Sequence, residues 1–171
     1  LTLVARRGEV LAEQAAALAA TSGRRVIGVG ADLTVSGSAE AAVAAHLDMH
    51  GGLDLLVNSA GASAAGDLFE LTDAQWEASF AVKFHGTVRM CRAAMPALAE
   101  SGRGVIVANI GAAWKQPGPG FLIGSAINAA LANFIKGLAQ IGTARGVRVV
   151  SVSSGPVRTE RVEAALRAAA A

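Results

Sequence analysis

Short apolar runs alternate along the chain with longer segments rich in Ala and Leu. The apolar runs have the length and flanking turns of buried strands, whereas the Ala-rich segments have helical character. We predict strands at 1–5, 24–30, 53–57, 104–110 and 146–153, and helices at 8–20, 36–50, 72–98, 121–143 and 160–171. This alternation predicts an α/β fold with a parallel, doubly wound sheet in one domain. The run at 53–57 is continuously apolar, which is typical of a strand with helices on both faces of its sheet.

Composition narrows the class of protein further. The 171 residues suffice for one domain with a hydrophobic core, and 53% of them are hydrophobic. No uninterrupted apolar run approaches the ~20 residues that a membrane-spanning helix requires. Fifteen Lys and Arg against 13 Asp and Glu give a net charge of +2 without a basic stripe, so we do not expect nucleic-acid binding. The single cysteine, Cys91, leaves no disulfide framework, and we expect a cytoplasmic protein without membrane partners.

The chain begins with Leu1, and neither the charged lead nor the cleavage site of a signal peptide precedes its first predicted strand. An initiator Met is not normally removed before a residue as large as Leu. We therefore expect the sequence to begin inside a longer reading frame or after processing.

Three motifs follow predicted strands in a characteristic order. Asn-Ser-Ala-Gly occupies 58–61, Asn-Ile-Gly-Ala occupies 109–112 ahead of a Gly/Pro loop, and Ser-Gly-Pro-Val-Arg-Thr occupies 154–159. In this order and spacing, the chain resembles the short-chain dehydrogenase/reductase family from residue 1 to about residue 159. The resemblance implies a Rossmann-like fold and a relation to NAD(P)-dependent oxidoreductases. It also implies that the family's first strand and helix and its last strand are missing.

The resemblance implies where a dinucleotide would lie. Ala5-Arg6-Arg7 follows the first strand in place of an acidic residue, and an Arg there suits the 2′-phosphate of NADP, unless both arginines are simply solvated. The family's phosphate-binding Thr-Gly-x-x-x-Gly-x-Gly is absent, so we expect weak or absent binding. The candidate cofactor contacts are Arg6, Asp32, Leu33, Asn58, Ala60, Gly61, Gly155 and Pro156.

The missing first strand has a physical consequence. In the strand order 3-2-1-4-5-6, strand 1 lies at the centre of the sheet. Its loss leaves two neighbouring strands with unpaired backbone groups, which is costly where they are buried. A free chain with the normal continuous sheet is therefore not expected. Either a strand exists upstream, or another chain supplies it, or the sheet rearranges.

The catalytic positions of the family are all changed. Carbonyl reduction needs an acid beside the developing alkoxide, which this family supplies through a Tyr assisted by a Ser, a Lys and an Asn. The chain contains no Tyr, and the slots for Ser, Tyr, Lys and Asn hold Ala112, Gly124, Asn128 and Lys83. We therefore predict a catalytically inactive pseudoenzyme or fragment. The alternatives are an NADP-dependent oxidoreductase of small carbonyls or alcohols with Lys83 or Lys115 as proton donor, and a dinucleotide-binding module without turnover.

Weaker features bear on metals and partners. His46 and His50 are spaced i,i+4 but lack the pattern of a zinc site, and no metal is predicted. By resemblance, Trp114 lies in the loop that borders the family's substrate pocket. Three roles are open for it there: a wall of the pocket, a contact with a partner, or packing within a lid. The helices at 72–98 and 121–143 resemble those that the family uses for dimer and tetramer contacts. This implies a homo-oligomer, or a hetero-oligomer with a related chain, as the surviving role.

Overall fold

Parallel strands and helices alternate in the computed structural model, which describes residues 1–155. The described strands are β1 (Thr2–Ala5), β2 (Ile27–Gly30), β3 (Leu55–Asn58), β4 (Val105–Gly111) and β5 (Arg148–Ser154). The described helices are α1 (Gly8–Ser22), α2 (Ser38–His50), α3 (Asp73–Phe80), α4 (Gly86–Glu100) and α5 (Leu122–Thr143). The predicted helix at 160–171 and the candidate Pro156 lie outside the described residues.

The strands form two parallel sheets. In the first, β1 pairs with β2, with Thr2 opposite Ile27. In the second, β4 pairs with β3 on one side and with β5 on the other, and Ile106 lies opposite Leu56 and Val149. Strands β1 and β3 are not paired with each other, so they are the two strands predicted to lack a neighbour. The doubly wound, Rossmann-like α/β fold is confirmed, with an interruption where the missing strand would lie.

The second sheet is packed on one face. Ile106 of β4 and Leu98 of α4 are fully buried in a cluster that also includes residues of α2. Ile110 of β4 joins a second cluster with the buried stripe Ile123, Ile127 and Leu131 of α5. Burying each of these large side chains contributes about 1.5–3 kcal/mol. Strand β4 is thereby held between its two strand neighbours and under two helices.

The other face of this sheet departs from the sequence prediction. The apolar run at 53–57 predicted helices on both faces, but Leu55 and Val57 are 53% and 56% exposed. Val150 and Val152 of β5 are similarly exposed. Among the described residues, the prediction of helices on both faces was wrong for this sheet. Helices α4 and α5 both cover the face that carries Ile106 and Ile110.

The helix predicted at 72–98 has a more complex structure. Thr72 caps α3, and its hydroxyl accepts from the Gln75 backbone N–H while the Gln75 side chain bonds back, as in a capping box. Between α3 and α4 the chain forms a π-helical segment, Ala81–His85, in which Gly86 N–H donates to the Ala81 carbonyl. A π-helical turn inserts one extra residue and is frequent at functional sites. Lys83 lies in the middle of this segment.

Helix α5 is long and apolar enough to cross a membrane by length and composition alone, with a mean hydropathy of 1.3 over an 18-residue window. The same criteria are met by core helices of globular proteins. Its stripe from Ile123 to Ile135 is buried against β4 and the π-helical region, which is the role of a core helix here.

Candidate functional site

A cavity of about 480 Å³ lies between the two sheets, at the ends of β1, β2 and β3. The structure brings together six of the eight candidate cofactor residues around it: Arg6, Asp32, Leu33, Asn58, Ala60 and Gly61. Gly155 lies at the end of β5 and does not line this cavity. In a doubly wound fold, the crevice at the carboxyl ends of the strands is where ligands bind. That these residues bind a cofactor remains a prediction.

Asp32 is fixed by its own loop. Its Oδ1 accepts from the Thr34 backbone N–H at 2.9 Å and from the Thr34 hydroxyl at 2.8 Å. These two hydrogen bonds, with a smaller contribution from Arg6, lower the pKa of Asp32 from its ordinary value of 3.8. The neighbouring Leu33 is tied to α4, because Arg89 Nη1 donates to its carbonyl at 2.8 Å. The carboxylate is therefore ionised and oriented at the cavity wall.

The turn at 58–61 forms the opposite wall. Asn58 is buried and its Nδ2 donates to the Cys91 Sγ of α4 at 3.4 Å. Burial raises the pKa of Cys91 to about 11, so the thiol stays protonated at neutral pH and is a poor nucleophile. Gly61 lies against the aliphatic stem of Lys83, and a Cβ at 61 would lie 2.8 Å from Lys83 Cδ.

Two of the four residues predicted to stand at the family's catalytic positions are in direct contact. Lys83 Nζ donates to Asn128 Oδ1 at 2.6 Å, and the same oxygen accepts from the Gly111 backbone N–H at 3.1 Å. Asn128 is only 1% exposed. Sequence reasoning missed this pair, although one signal was present: by the predicted alignment with the family, Lys and Asn stand in each other's positions.

At Gly124, the predicted counterpart of the family's tyrosine, the ring of Phe121 fills the space that a side chain would need. Gly124 is buried, and a Cβ at this position would overlap the ring of Phe121. Phe121 is held there by a parallel bridge to Gly66, in which Gly66 N–H donates to the Gly120 carbonyl at 3.1 Å. At the serine position, the methyl side chain of Ala112 offers no hydrogen bond to a substrate. None of these three residues supplies a side-chain acid.

The loop after β4 is tied to β5. Trp114 Nε1 donates to the Ser153 hydroxyl at 3.2 Å, and Lys115 Nζ lies 5.0 Å from the Trp114 ring centroid. A cation over an indole face is attracted by the ring quadrupole. Lys115 is therefore associated with Trp114, while Lys83 reaches Asn128 on α5.

The histidine pair is engaged with protein groups. His46 Nδ1 lies 2.8 Å from the Thr2 hydroxyl and its Nε2 lies 3.0 Å from the Gly52 carbonyl oxygen. The rings of His46 and His50 are 4.7 Å apart. Within residues 1–155, no group of three or more His, Cys, Asp or Glu side chains could hold a metal ion.

Comparison with known proteins gives a consistent picture. The family model described as short chain dehydrogenase matches residues 1–169. The 2-(S)-hydroxypropyl-CoM dehydrogenase 3 of Xanthobacter autotrophicus is 34% identical over 86% of this chain and 58% of its own length. The chain thus spans little more than half of that relative.

Two solved structures superpose closely. The NADPH-bound short chain oxidoreductase from Pseudomonas aeruginosa PAO1, described as containing an atypical catalytic center, has a TM-score of 0.91 at 27% identity. The comparison covers 98% of this chain and 66% of that one. The L-sorbose reductase of Gluconobacter frateurii, solved with NADPH and L-sorbose, gives a TM-score of 0.91 at 29% identity over 99% of this chain and 65% of that one.

The hydrogen bonds to Asp32 predict a change in its titration. Thr34→Val removes the hydroxyl donor but keeps the backbone donor, so the pKa of Asp32 should rise part of the way toward 3.8. Because the folded-state pKa is depressed, ionised Asp32 stabilises the fold above its unfolded-state pKa, and this contribution is lost as pH falls through the folded value. A carboxyl ¹³C NMR titration measures the shift. The pKa of Asp54, which Arg103 lowers, should not change; an unchanged Asp32 would contradict the assignment.

Proposed function

Because the chain belongs to the short chain dehydrogenase family, we propose that it is a member that keeps the family scaffold and lacks its catalysis. One observation carries this proposal. At the position of the family's proton-donating tyrosine stands Gly124, buried beneath Phe121, so no side chain is available there to protonate an alkoxide.

The remaining positions support the same proposal. The serine slot holds Ala112, and the ammonium of Lys83 is engaged with Asn128 Oδ1 at 2.6 Å. An oxidoreductase with Lys83 or Lys115 as proton donor is the less well supported alternative. The ammonium of Lys83 is bonded to Asn128, and that of Lys115 lies over the ring of Trp114. A cytoplasmic location stays a prediction from the sequence.

The inert state is tested by assaying the full chain for NADPH consumption. With a panel of aldehydes, ketones and diketones, we expect absorbance at 340 nm to fall no faster than without protein. The L-sorbose reductase serves as the positive control. Turnover that disappears in Lys83→Ala or Lys115→Ala, but persists in Lys136→Ala, would overturn the proposal and identify the donor.

An interaction role is the second part of the proposal. Helices α4 and α5 flank a groove of about 590 Å³ with an apolar floor that includes Met95, Phe134 and Ile141. Arg92 and Arg145 stand at this groove, and no acidic residue lines it. Apolar and aromatic side chains with Arg, but few acids, are typical of protein interfaces. These features support a dimer through α4 and α5, with a second copy or a related chain.

The dimer is tested by size-exclusion chromatography with light scattering. We expect a discrete oligomer for the chain and a shift to monomer for Ile141→Arg, which places a charge on an apolar residue that is 49% exposed. Val10→Arg, on α1 and 41% exposed, is the matched control and should leave the oligomer intact. A stable monomer of the unchanged chain would contradict the interaction role.

Binding of a dinucleotide without turnover is a further candidate, favoured by the cavity that six candidate residues line. The P. aeruginosa relative binds NADPH and is described as having an atypical catalytic center, which supports cofactor binding without the usual catalytic set. Arg6 at the cavity wall, where an acid would favour NAD, supports a preference for NADP.

The cofactor preference gives a direct test by titration calorimetry. NADPH should bind more tightly than NADH. Arg6→Ala should lower the affinity for NADPH about tenfold, as expected for the loss of one charge-assisted hydrogen bond. NADH binding should change little. Arg7→Ala is the matched control, because Arg7 does not line the cavity. A flat NADPH titration would remove this candidate.

A further inference from the structure

Lys83 lies at the centre of an unusual junction. It is part of the π-helical segment Ala81–His85, and its carbonyl accepts from the Thr87 hydroxyl at 2.7 Å. A bond from a Thr hydroxyl to the carbonyl four residues earlier is a common side-chain-to-backbone contact in helices and often accompanies a bend. The Lys83 side chain reaches from this π-helical segment to Asn128 of α5.

The far end of Lys83 meets a buried acceptor. Asn128 Oδ1 takes hydrogen bonds from both Lys83 Nζ and the Gly111 backbone N–H, at 2.6 and 3.1 Å. The space around the amide is tight, since a Cβ at Gly111 would lie 2.8 Å from Asn128 Nδ2. One oxygen atom thus joins the π-helical segment, helix α5 and the end of β4.

The stem of Lys83 supports the cavity wall. Its Cδ and Cγ would lie 2.8 and 3.1 Å from a Cβ at Gly61, closer than ordinary contact, so the stem fills the space beside this glycine. Gly61 ends the turn at 58–61, which lines the 480 Å³ cavity, and Val82 next to Lys83 lines it as well. Anchoring Nζ on Asn128 therefore fixes the stem against the turn.

We propose that Lys83 is a positioning residue: held by Asn128, its stem keeps the turn at 58–61 in the shape that forms the wall of the cavity. The two residues act as a unit, because Asn128 fixes the end of the side chain whose middle contacts Gly61. The consequence for ligand affinity rests on the proposed dinucleotide binding, whereas the consequence for the turn does not.

Hydrogen–deuterium exchange of the peptide that spans 58–62, followed by mass spectrometry, tests the positioning directly. Lys83→Ala removes both stem and ammonium and should speed exchange of this peptide several-fold. Lys83→Met keeps most of the stem and should have a smaller effect. Lys136→Met, an exposed lysine of α5, is the charge control, and Ile135→Val, a buried change on α5, is the stability control. Neither control should change exchange at 58–62.

A double-mutant cycle tests whether Lys83 and Asn128 act as one unit on the turn or through two independent contacts. Asn128→Leu should speed exchange of the 58–62 peptide in the unchanged chain and much less in the Lys83→Met background, because the link to Lys83 Nζ is already lost there. Equal effects of Asn128→Leu in both backgrounds, or an unchanged turn in Lys83→Ala, would overturn the proposal.

NADPH affinity of the same variants provides the second readout. Lys83→Ala should lower the affinity for NADPH. The factor should be about the increase in local opening of the turn that the exchange rates give. If the unchanged chain gives a flat NADPH titration, dinucleotide binding fails while the exchange data still decide the positioning role. If NADPH binds, and Lys83→Ala loosens the turn without lowering the affinity for NADPH, then the turn does not contribute to affinity and the ligand part of the proposal is wrong.

Discussion

The backbone N–H of Gly111, where β4 ends, is the group around which the candidate site is arranged. A buried amide without a partner costs free energy comparable to a lost hydrogen bond. Asn128 Oδ1 meets this requirement at 3.1 Å and accepts Lys83 Nζ as well. Strand β4 is paired with β3 and β5 and packed under α4 and α5, and the Gly111 bond to Asn128 joins its end to α5. Asn128 thus has a structural role at the position that, by resemblance, we predict to correspond to the family's catalytic lysine.

The cavity lies at the interruption between the two sheets. Strands β1 and β3 each have a strand neighbour on one side only, and the cavity lies between their ends. Helix packing of α2 against α4, together with Arg89 bonding to the Leu33 carbonyl, connects the two halves instead of strand pairing. The relatives with TM-scores of 0.91 superpose on nearly the whole chain, so the halves keep the placement found in longer proteins of the family.

Much of the fold could be predicted because its signals are local. The Ile stripe of α5 repeats at helical spacing, and the apolar run of β3 has the length of a strand, so the ends of both elements were predicted to within two residues. The bare face at Leu55 and Val57 could not be read from that run, since apolar side chains do not show what covers them. The π-helical segment was missed because a shift of one hydrogen bond leaves the apolar period almost unchanged.

The contacts of the site were harder to predict than its members. Lys83 and Asn128 are 45 positions apart in sequence, and only the tertiary fold brings them together. Phe121 lies over Gly124 and forms a bridge with Gly66. No local sequence motif predicts this bridge. Gly155 belongs to a family motif yet does not line the cavity, because a motif indicates the local chain and not which crevice the chain faces.

We propose centrally that the chain keeps the family's scaffold around an interrupted sheet but does not transfer hydride, because the proton donor and that donor's helpers are replaced. Transfer of deuterium from the nicotinamide C4 position of labelled NADPH to an activated diketone, with protein in excess and detection by mass spectrometry, tests this claim most directly. We predict no deuterated alcohol above the level formed without protein. Deuterium transferred to one face of the carbonyl at a rate that increases with protein concentration would contradict it.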